Sequence, residues 1–118
     1  AAGLLAGIDP DDIVDLRAAT NMWSPRSKDV DRARALWGWA TGYGVNLRTL
    51  ALQFCLRERL IATTLIGPRT PTDVLEGVAA ATEPIPEGDW TALSEVLTTL
   101  ARPAPGGEAS VGAYPPSD

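Results

Sequence analysis

The 118-residue chain contains no histidine, one lysine (Lys28) and one cysteine (Cys55). Ser-His-Asp triads, Cys-His pairs and histidine metal sites each need a residue that this sequence lacks. The chain alone therefore lacks the side chains that most general acid–base catalysis near neutral pH requires. A single cysteine cannot form an internal disulfide, so we expect a cytoplasmic protein with Cys55 in its core.

Long apolar runs and basic stripes are also missing. No stretch reaches the roughly 18 consecutive apolar residues of a membrane span, and we expect no membrane contact. Ten basic and fifteen acidic residues give a net charge of −5, and the arginines are scattered along the chain. Nucleic acid is therefore not an expected partner. The content of 45% hydrophobic and 21% charged residues is typical of a globular domain.

Acidic residues gather at one place, the "DPDD" of residues 9–12. Asp-Pro followed by two acids is typical of a turn that leads into a helix. A metal site or an acid–base pair is the alternative interpretation of this cluster.

Apolar residues recur at helical spacing in four further segments. The predicted buried faces are Val30, Ala33, Trp37 and Ala40; Leu47, Leu50, Ala51, Phe54 and Cys55; Val74, Val78 and Ala81; and Trp90, Leu93, Leu97 and Leu100. Gly42 and Gly44 are predicted to end the first of these helices.

Polar residues mark the starts of the helices. Ser27 and Asn46 are predicted N-caps. Thr70 is a third, with Pro71 at the first helical position and Asp73 three residues after the cap, the order of a capping box.

Residues 61–66, "IATTLI", are β-branched and almost uniformly apolar, which predicts a strand buried on both faces in a parallel sheet. Such a strand needs neighbours, and residues 1–7 offer only a weak candidate. We therefore expect an α/β fold, the C-terminal portion of a (β/α)8 TIM barrel, which normally takes about 250 residues. Residues 1–101 would form that portion, and the missing N-terminal part of the barrel would be its partner. Residues 102–118 are predicted to form a flexible Pro/Gly-rich tail.

Several motifs carry a family resemblance. "GLLAG" near the start, "ALQF" at 51–54, "TTLIG" at 63–67 and "GPRTP" at 67–71, with "VLE" following, resemble the C-terminal third of the aldo/keto reductases, particularly the sugar dehydrogenases. The resemblance implies a barrel and hydride transfer between NAD or NADP and a small-molecule substrate, a sugar, aldehyde or alcohol, without a metal. The family's catalytic aspartate, tyrosine, lysine and histidine come from the first half of the barrel, so no catalytic residue is assigned here. We expect the 118 residues alone to be inactive.

The turn at residues 67–70 is the candidate cofactor site. Gly67 lets a ligand approach the backbone, Thr70 stands at a helix N-terminus that favours anions, and Arg69 adds a positive charge. An ordinary strand-to-helix turn is the alternative interpretation. The resemblance implies that Gly67, Pro68, Arg69 and Thr70 lie along the adenosine ribose and phosphate.

Three positions in the following helix bear on cofactor choice. By resemblance, Glu76 matches the acid that meets the adenine amino group, whereas Gly77 replaces the usual asparagine. Asp73 stands where NADP-preferring members often carry arginine. A carboxylate repels a 2′-phosphate but accepts from a 2′-hydroxyl, so NAD is slightly favoured, although Arg69 could still bind a 2′-phosphate. A helix-cap role is the alternative for Asp73.

Met22 and Trp23, with Tyr114 in the tail, fall in loops that border the substrate pocket in the family. Packing in the core or a loop is the alternative for Trp23. Two other functions stay open: a non-catalytic helical interaction module whose strand pairs with a partner, and a nucleotide-binding remnant without activity.

Overall fold

The computed structural model describes residues 3–102, which form five α-helices. They are α1 (Pro10–Ala19), α2 (Ser27–Tyr43), α3 (Leu47–Arg57), α4 (Pro71–Thr82) and α5 (Glu87–Ala101). None of the residues from 3 to 102 belongs to a strand. The prediction of an α/β fold, the C-terminal portion of a (β/α)8 TIM barrel, is therefore wrong. Apart from Arg102, which follows α5, the predicted tail lies outside the described residues, as does Tyr114.

Residues 61–66 are not the predicted buried strand. No hydrogen bond joins the backbone of residues 62–67 to any other part of the described chain. The weak strand candidate at 1–7 does not pair with them, because its described part, residues 3–7, forms turns with Gly3 and Gly7 at φ of 88° and 80°. Strand propensity reflects packing against neighbouring strands, so a β-branched segment without such neighbours forms no sheet.

Most helix ends follow local sequence rules. Asp9 caps α1 by accepting from the Asp11 N–H at 2.9 Å, and Asn46 caps α3 by accepting from the Thr49 N–H at 3.2 Å. Gly44 ends α2 in the left-handed region, at φ 85°. The predictions of Asn46 as a cap and of Gly44 as a helix end are confirmed, whereas Gly42 lies within α2 and does not end it. The prediction that Ser27 is an N-cap is wrong, because α2 already begins at Ser27 and no side chain caps this helix.

The main core joins α2, α3 and α5. Its buried members are Leu36, Ala40, Leu47, Leu50 and Leu93. Half-buried side chains pack against them, among them Trp37, Trp90, Leu97 and Leu100. The predicted face of α5 is confirmed by these contacts.

A second cluster joins the N-terminal turn and α1 to α2. It contains Leu4, Ile13, Val30 and Ala33, all buried. At its edge, Arg34 donates to the carboxylate of Asp11 at 2.7 Å. Both side chains of this pair are at least half exposed, so it adds little stability. The "DPDD" acids thus cap α1 and pair with α2.

The described chain leaves a large apolar area uncovered. Leu60 and Leu65 are 93% and 90% exposed. Phe54, Val74 and Val78, which the spacing predicted to be buried, are about half exposed. The predicted barrel would have covered these side chains with a sheet, and residues 61–66 form none.

This uncovered area predicts self-association at rising concentration. We expect sedimentation velocity to show oligomers of the wild-type chain. Leu65→Lys should shift them toward monomer, because it removes an exposed apolar side chain and places a charge on the unpaired segment.

Ala35→Lys is the matched control, since it adds the same charge at an exposed position of α2. A wild-type monomer in which the amides of residues 63–66 exchange slowly with solvent would contradict this prediction.

Candidate functional site

A groove of about 660 Å³ lies between the N-terminal turn, α3 and the segment that leads into α4. The size is within the range of about 300 to 1,000 Å³ for ligand clefts. The predicted site residues that line it are Gly67, Pro68, Arg69, Asp73, Glu76 and Met22. Folding thus brings five predicted cofactor residues together with a predicted substrate residue from the loop after α1. Thr70 does not line the groove, and neither does Trp23, which is 68% exposed.

Most of the other side chains along the groove are apolar. Leu52 and Cys55 contribute from α3, Leu5 from the N-terminal turn, and Leu65 and Ile66 from the segment between α3 and α4. Cys55 is half-buried in this wall instead of lying in the core.

Gly77 has a packing reason that the sequence did not show. A Cβ atom at position 77 would lie 2.7 Å from Cδ1 of Ile66. An asparagine here would therefore displace the Ile66 side chain. Gly77 lets α4 and Ile66 approach each other along the wall of the groove.

The start of α4 is a complete capping box, as predicted. The hydroxyl of Thr70 accepts from the Asp73 N–H at 3.1 Å. One carboxylate oxygen of Asp73 accepts from the N–H groups of Arg69 and Thr70, at 2.9 and 3.1 Å. Pro71 has no N–H, so the Thr72 amide is the first-turn donor left for a ligand. The backbone donors that we expected to hold an anion are therefore mostly occupied by the chain's own carboxylate.

Asp73 is a helix-cap acid, as the alternative interpretation held. The N–H of Arg69 is the main cause that lowers the pKa of Asp73 below its ordinary value of 3.8. Desolvation opposes it as the second-largest effect, and the two Thr70 hydrogen bonds and the Arg69 charge each make a smaller contribution that also lowers the pKa. Asp73 is thus a carboxylate at neutral pH, and its Oδ1 atom makes no hydrogen bond within residues 3–102.

Arg69 is exposed and lines the groove, and its side chain ends in a guanidinium group. Within the described chain this group makes no hydrogen bond and has no carboxylate within salt-bridge distance. Its five N–H donors remain available to a ligand, and a planar guanidinium can bind a phosphate through two of them.

Glu76 is held by a residue that sequence reasoning did not single out. Nη1 of Arg48, on α3, pairs with Oε2 of Glu76. Nε of the same arginine donates to the Ala6 carbonyl at 2.6 Å. The sequence did contain one signal for this residue. Arg48 is the only charged residue in "NLRTLALQF", residues 46–54 at the start of α3.

Two features of other functional classes are not found in residues 3–102. No three of the histidine, cysteine, aspartate and glutamate side chains lie together where they could bind a metal ion. None of the five helices combines the length and the apolar character needed to cross a membrane.

Comparison of the chain with protein-family models, with curated proteins and with solved structures gives no match.

The capping box predicts an acid-sensitive start of α4. Because the pKa of Asp73 is lower in the folded chain than in the unfolded chain, its contribution to stability is present above the unfolded value and is lost as the pH falls through the folded value. Asp73→Asn should therefore lower the thermal midpoint at pH 7, and the difference from wild type should shrink in strong acid.

Thermal unfolding followed by circular dichroism between pH 2 and pH 7 measures this difference. Asp89→Asn, which removes a first-turn acid of α5 where no side chain caps the helix, is the matched control. A gap between Asp73→Asn and wild type that stays constant over the whole pH range would be evidence against the charged cap.

Proposed function

We propose that the groove binds the adenosine side of a nicotinamide dinucleotide, with NAD favoured over NADP. The chain then contributes to an oxidoreductase of aldo/keto reductase type that acts on a sugar, aldehyde or alcohol. The observation that carries the proposal is the convergence in one cleft of residues 67–69 of the predicted cofactor turn, Glu76 and the distant Met22. The motifs that resemble this family supply the choice of cofactor.

The phosphate end of the ligand fits the turn before α4. Arg69 offers a cation whose donors are not engaged by the described chain, and Gly67 has open space where its Cβ would lie. A phosphate beside Gly67 could thus contact the backbone while Arg69 binds two of its oxygens. Because Asp73 occupies the amides of Arg69 and Thr70, the side chain of Arg69 supplies most of the attraction.

The adenine ring fits the apolar part of the groove. Leu52 and Ile66 line it with apolar side chains, as is usual in ligand clefts. Glu76 lines the same groove with a carboxylate that can accept from an exocyclic amino group. A purine with an amino group therefore finds both the apolar wall and the acceptor that it needs.

The preference for NAD follows from the charge of Asp73. Its Oδ1 atom can accept from a ribose 2′-hydroxyl, whereas a 2′-phosphate would meet a carboxylate that the capping box holds in place. The hydride step itself is not assigned to any residue of this chain. The free thiol of Cys55 fits a cytoplasmic location, because thiols stay reduced there.

A helical interaction module is the second candidate. It is favoured by one observation, the exposure of Leu60 and Leu65 beside a backbone segment with no hydrogen-bonded neighbour in residues 3–102. In that case the partner would supply the missing backbone hydrogen bonds, and the groove would have no nucleotide affinity.

Replacing the groove cation tests the cofactor proposal. Arg69→Ala should raise the NAD dissociation constant about 10-fold, since a charge-assisted hydrogen bond contributes roughly 1.5 to 3 kcal/mol before screening by solvent. Isothermal titration calorimetry of the chain with NAD measures the change.

Arg59→Ala is the matched control, because Arg59 is exposed and does not line the groove. Equal NAD affinity in wild type and Arg69→Ala would overturn the assignment of this turn to the cofactor.

The 118 residues alone should show no oxidoreductase turnover. The chain has no histidine, and its single lysine, Lys28, lies at the start of α2 and does not line the groove. Absorbance of the reduced cofactor, followed with sugars and aldehydes, checks this expectation. An activity that stays proportional to the amount of chain through successive purification steps would show that the chemistry lies within these residues.

A further inference from the structure

The side chain of Arg48 connects three parts of the groove. From the first turn of α3 it reaches the Ala6 carbonyl through Nε and Glu76 on α4 through Nη1. The side chain is 33% exposed, whereas that of Glu76 is 47% exposed. The arginine is thus the more enclosed partner of the ion pair, and the Ala6 carbonyl of the N-terminal turn also holds it.

The turn beneath Arg48 is built to receive it. A Cβ at Gly7 would lie 3.3 Å from Cβ of Arg48, and Gly7 has a φ of 80°, which side chains rarely adopt. Glycine at this position therefore permits both the turn and its close approach to α3. Nε donates to Ala6, and Nη1 donates to Glu76 on α4.

The pairing leaves Glu76 with one oxygen for a ligand. Oε2 binds Arg48, and no hydrogen bond to Oε1 is found within residues 3–102. Without Arg48, a glutamate half exposed on a helix surface would sample several rotamers, and ordering it on ligand binding would cost entropy. The ion pair orders the carboxylate before a ligand arrives, which is how preorganisation raises affinity.

We propose that Arg48 is a positioning residue for adenine recognition: it holds Glu76 so that the free oxygen accepts from the adenine 6-amino group. This inference rests on the proposed function, since it names how the same groove reads its base. Arg48 acts through Glu76 and does not touch the ligand in this arrangement.

The test compares NAD with nicotinamide hypoxanthine dinucleotide, which carries an oxygen in place of the 6-amino group. Arg48→Met should weaken NAD binding about 3- to 10-fold, the range for a partly screened hydrogen bond to a charged group, and leave binding of the hypoxanthine analogue nearly unchanged. Arg48→Lys should restore part of the NAD affinity, because an ammonium keeps one donor toward Glu76.

Glu76→Gln tests the same contact from α4. In the double variant Arg48→Met/Glu76→Gln, the loss of NAD binding free energy should be smaller than the sum of the losses in the two single variants. Both substitutions disrupt the same Arg48–Glu76 pair, so their effects are not additive. If Arg48→Met fails to fold, as judged by circular dichroism, the comparison of the two dinucleotides is made with Arg48→Lys and Glu76→Gln, where Glu76→Gln should affect NAD alone.

Two outcomes overturn this inference and are distinct from each other. If the wild-type chain binds neither dinucleotide, the proposed function fails and the inference with it. If the wild type binds both, but the substitutions at 48 and 76 weaken them equally, Arg48 merely supports the fold and the proposed function stands.

Discussion

Burial of Leu47 and Leu50 on α3 fixes the position of this helix against the rest of the molecule. Their side chains are 4% and 2% exposed, and they pack with Leu36, Ala40 and Leu93 of the two helices beside them. Filling that space stabilises the fold by about 1.5 to 3 kcal/mol for each fully buried leucine. Every contact that α3 makes on its other side depends on this packing.

The other side of α3 holds α4 through polar contacts. Nε2 of Gln53 donates to the carbonyls of Ala80 and Glu83, at 2.8 and 2.7 Å. These carbonyls lie at the end of α4, where intrahelical partners run out, so the amide satisfies acceptors that would otherwise need water. Arg48 lies nearer the start of α3 and makes a second polar contact with α4, through Glu76. The two side chains together set the distance between α3 and α4, and hence the width of the groove.

Features that depend on neighbours in the chain could be predicted from the sequence. The caps at Asn46 and Thr70 and the stop at Gly44 are formed within four residues, so local chemistry decides them. The strand at 61–66 could not be decided in this way, because its pairing depends on a second segment at an unknown distance. Val74 and Val78 are exposed for the same reason: helical spacing shows that α4 has an apolar face but not what covers it.

The candidate site also has one part that could be predicted from the sequence and one part that could not. The turn and the first part of α4 form one continuous stretch, so their grouping in the groove follows from sequence adjacency once the helix start is known. Arg48 escaped prediction because its partners, Ala6 and Glu76, are distant in the sequence. The occupied helix start was foreseeable in part, since a capping box and an anion site compete for the same N–H groups.

The groove wall and the unpaired segment share residues, which ties ligand binding to the exposed surface. Thr64, Leu65 and Ile66 line the groove, and their backbone groups have no hydrogen-bonded partner within residues 3–102. The hydroxyl of Thr64 is also buried without a partner there, which is unfavourable. A wall held by so few hydrogen bonds has low local stability. If the groove binds the proposed ligand, a contact that stabilised residues 64–66 would change that affinity, and the ligand would change the strength of the contact by the same factor.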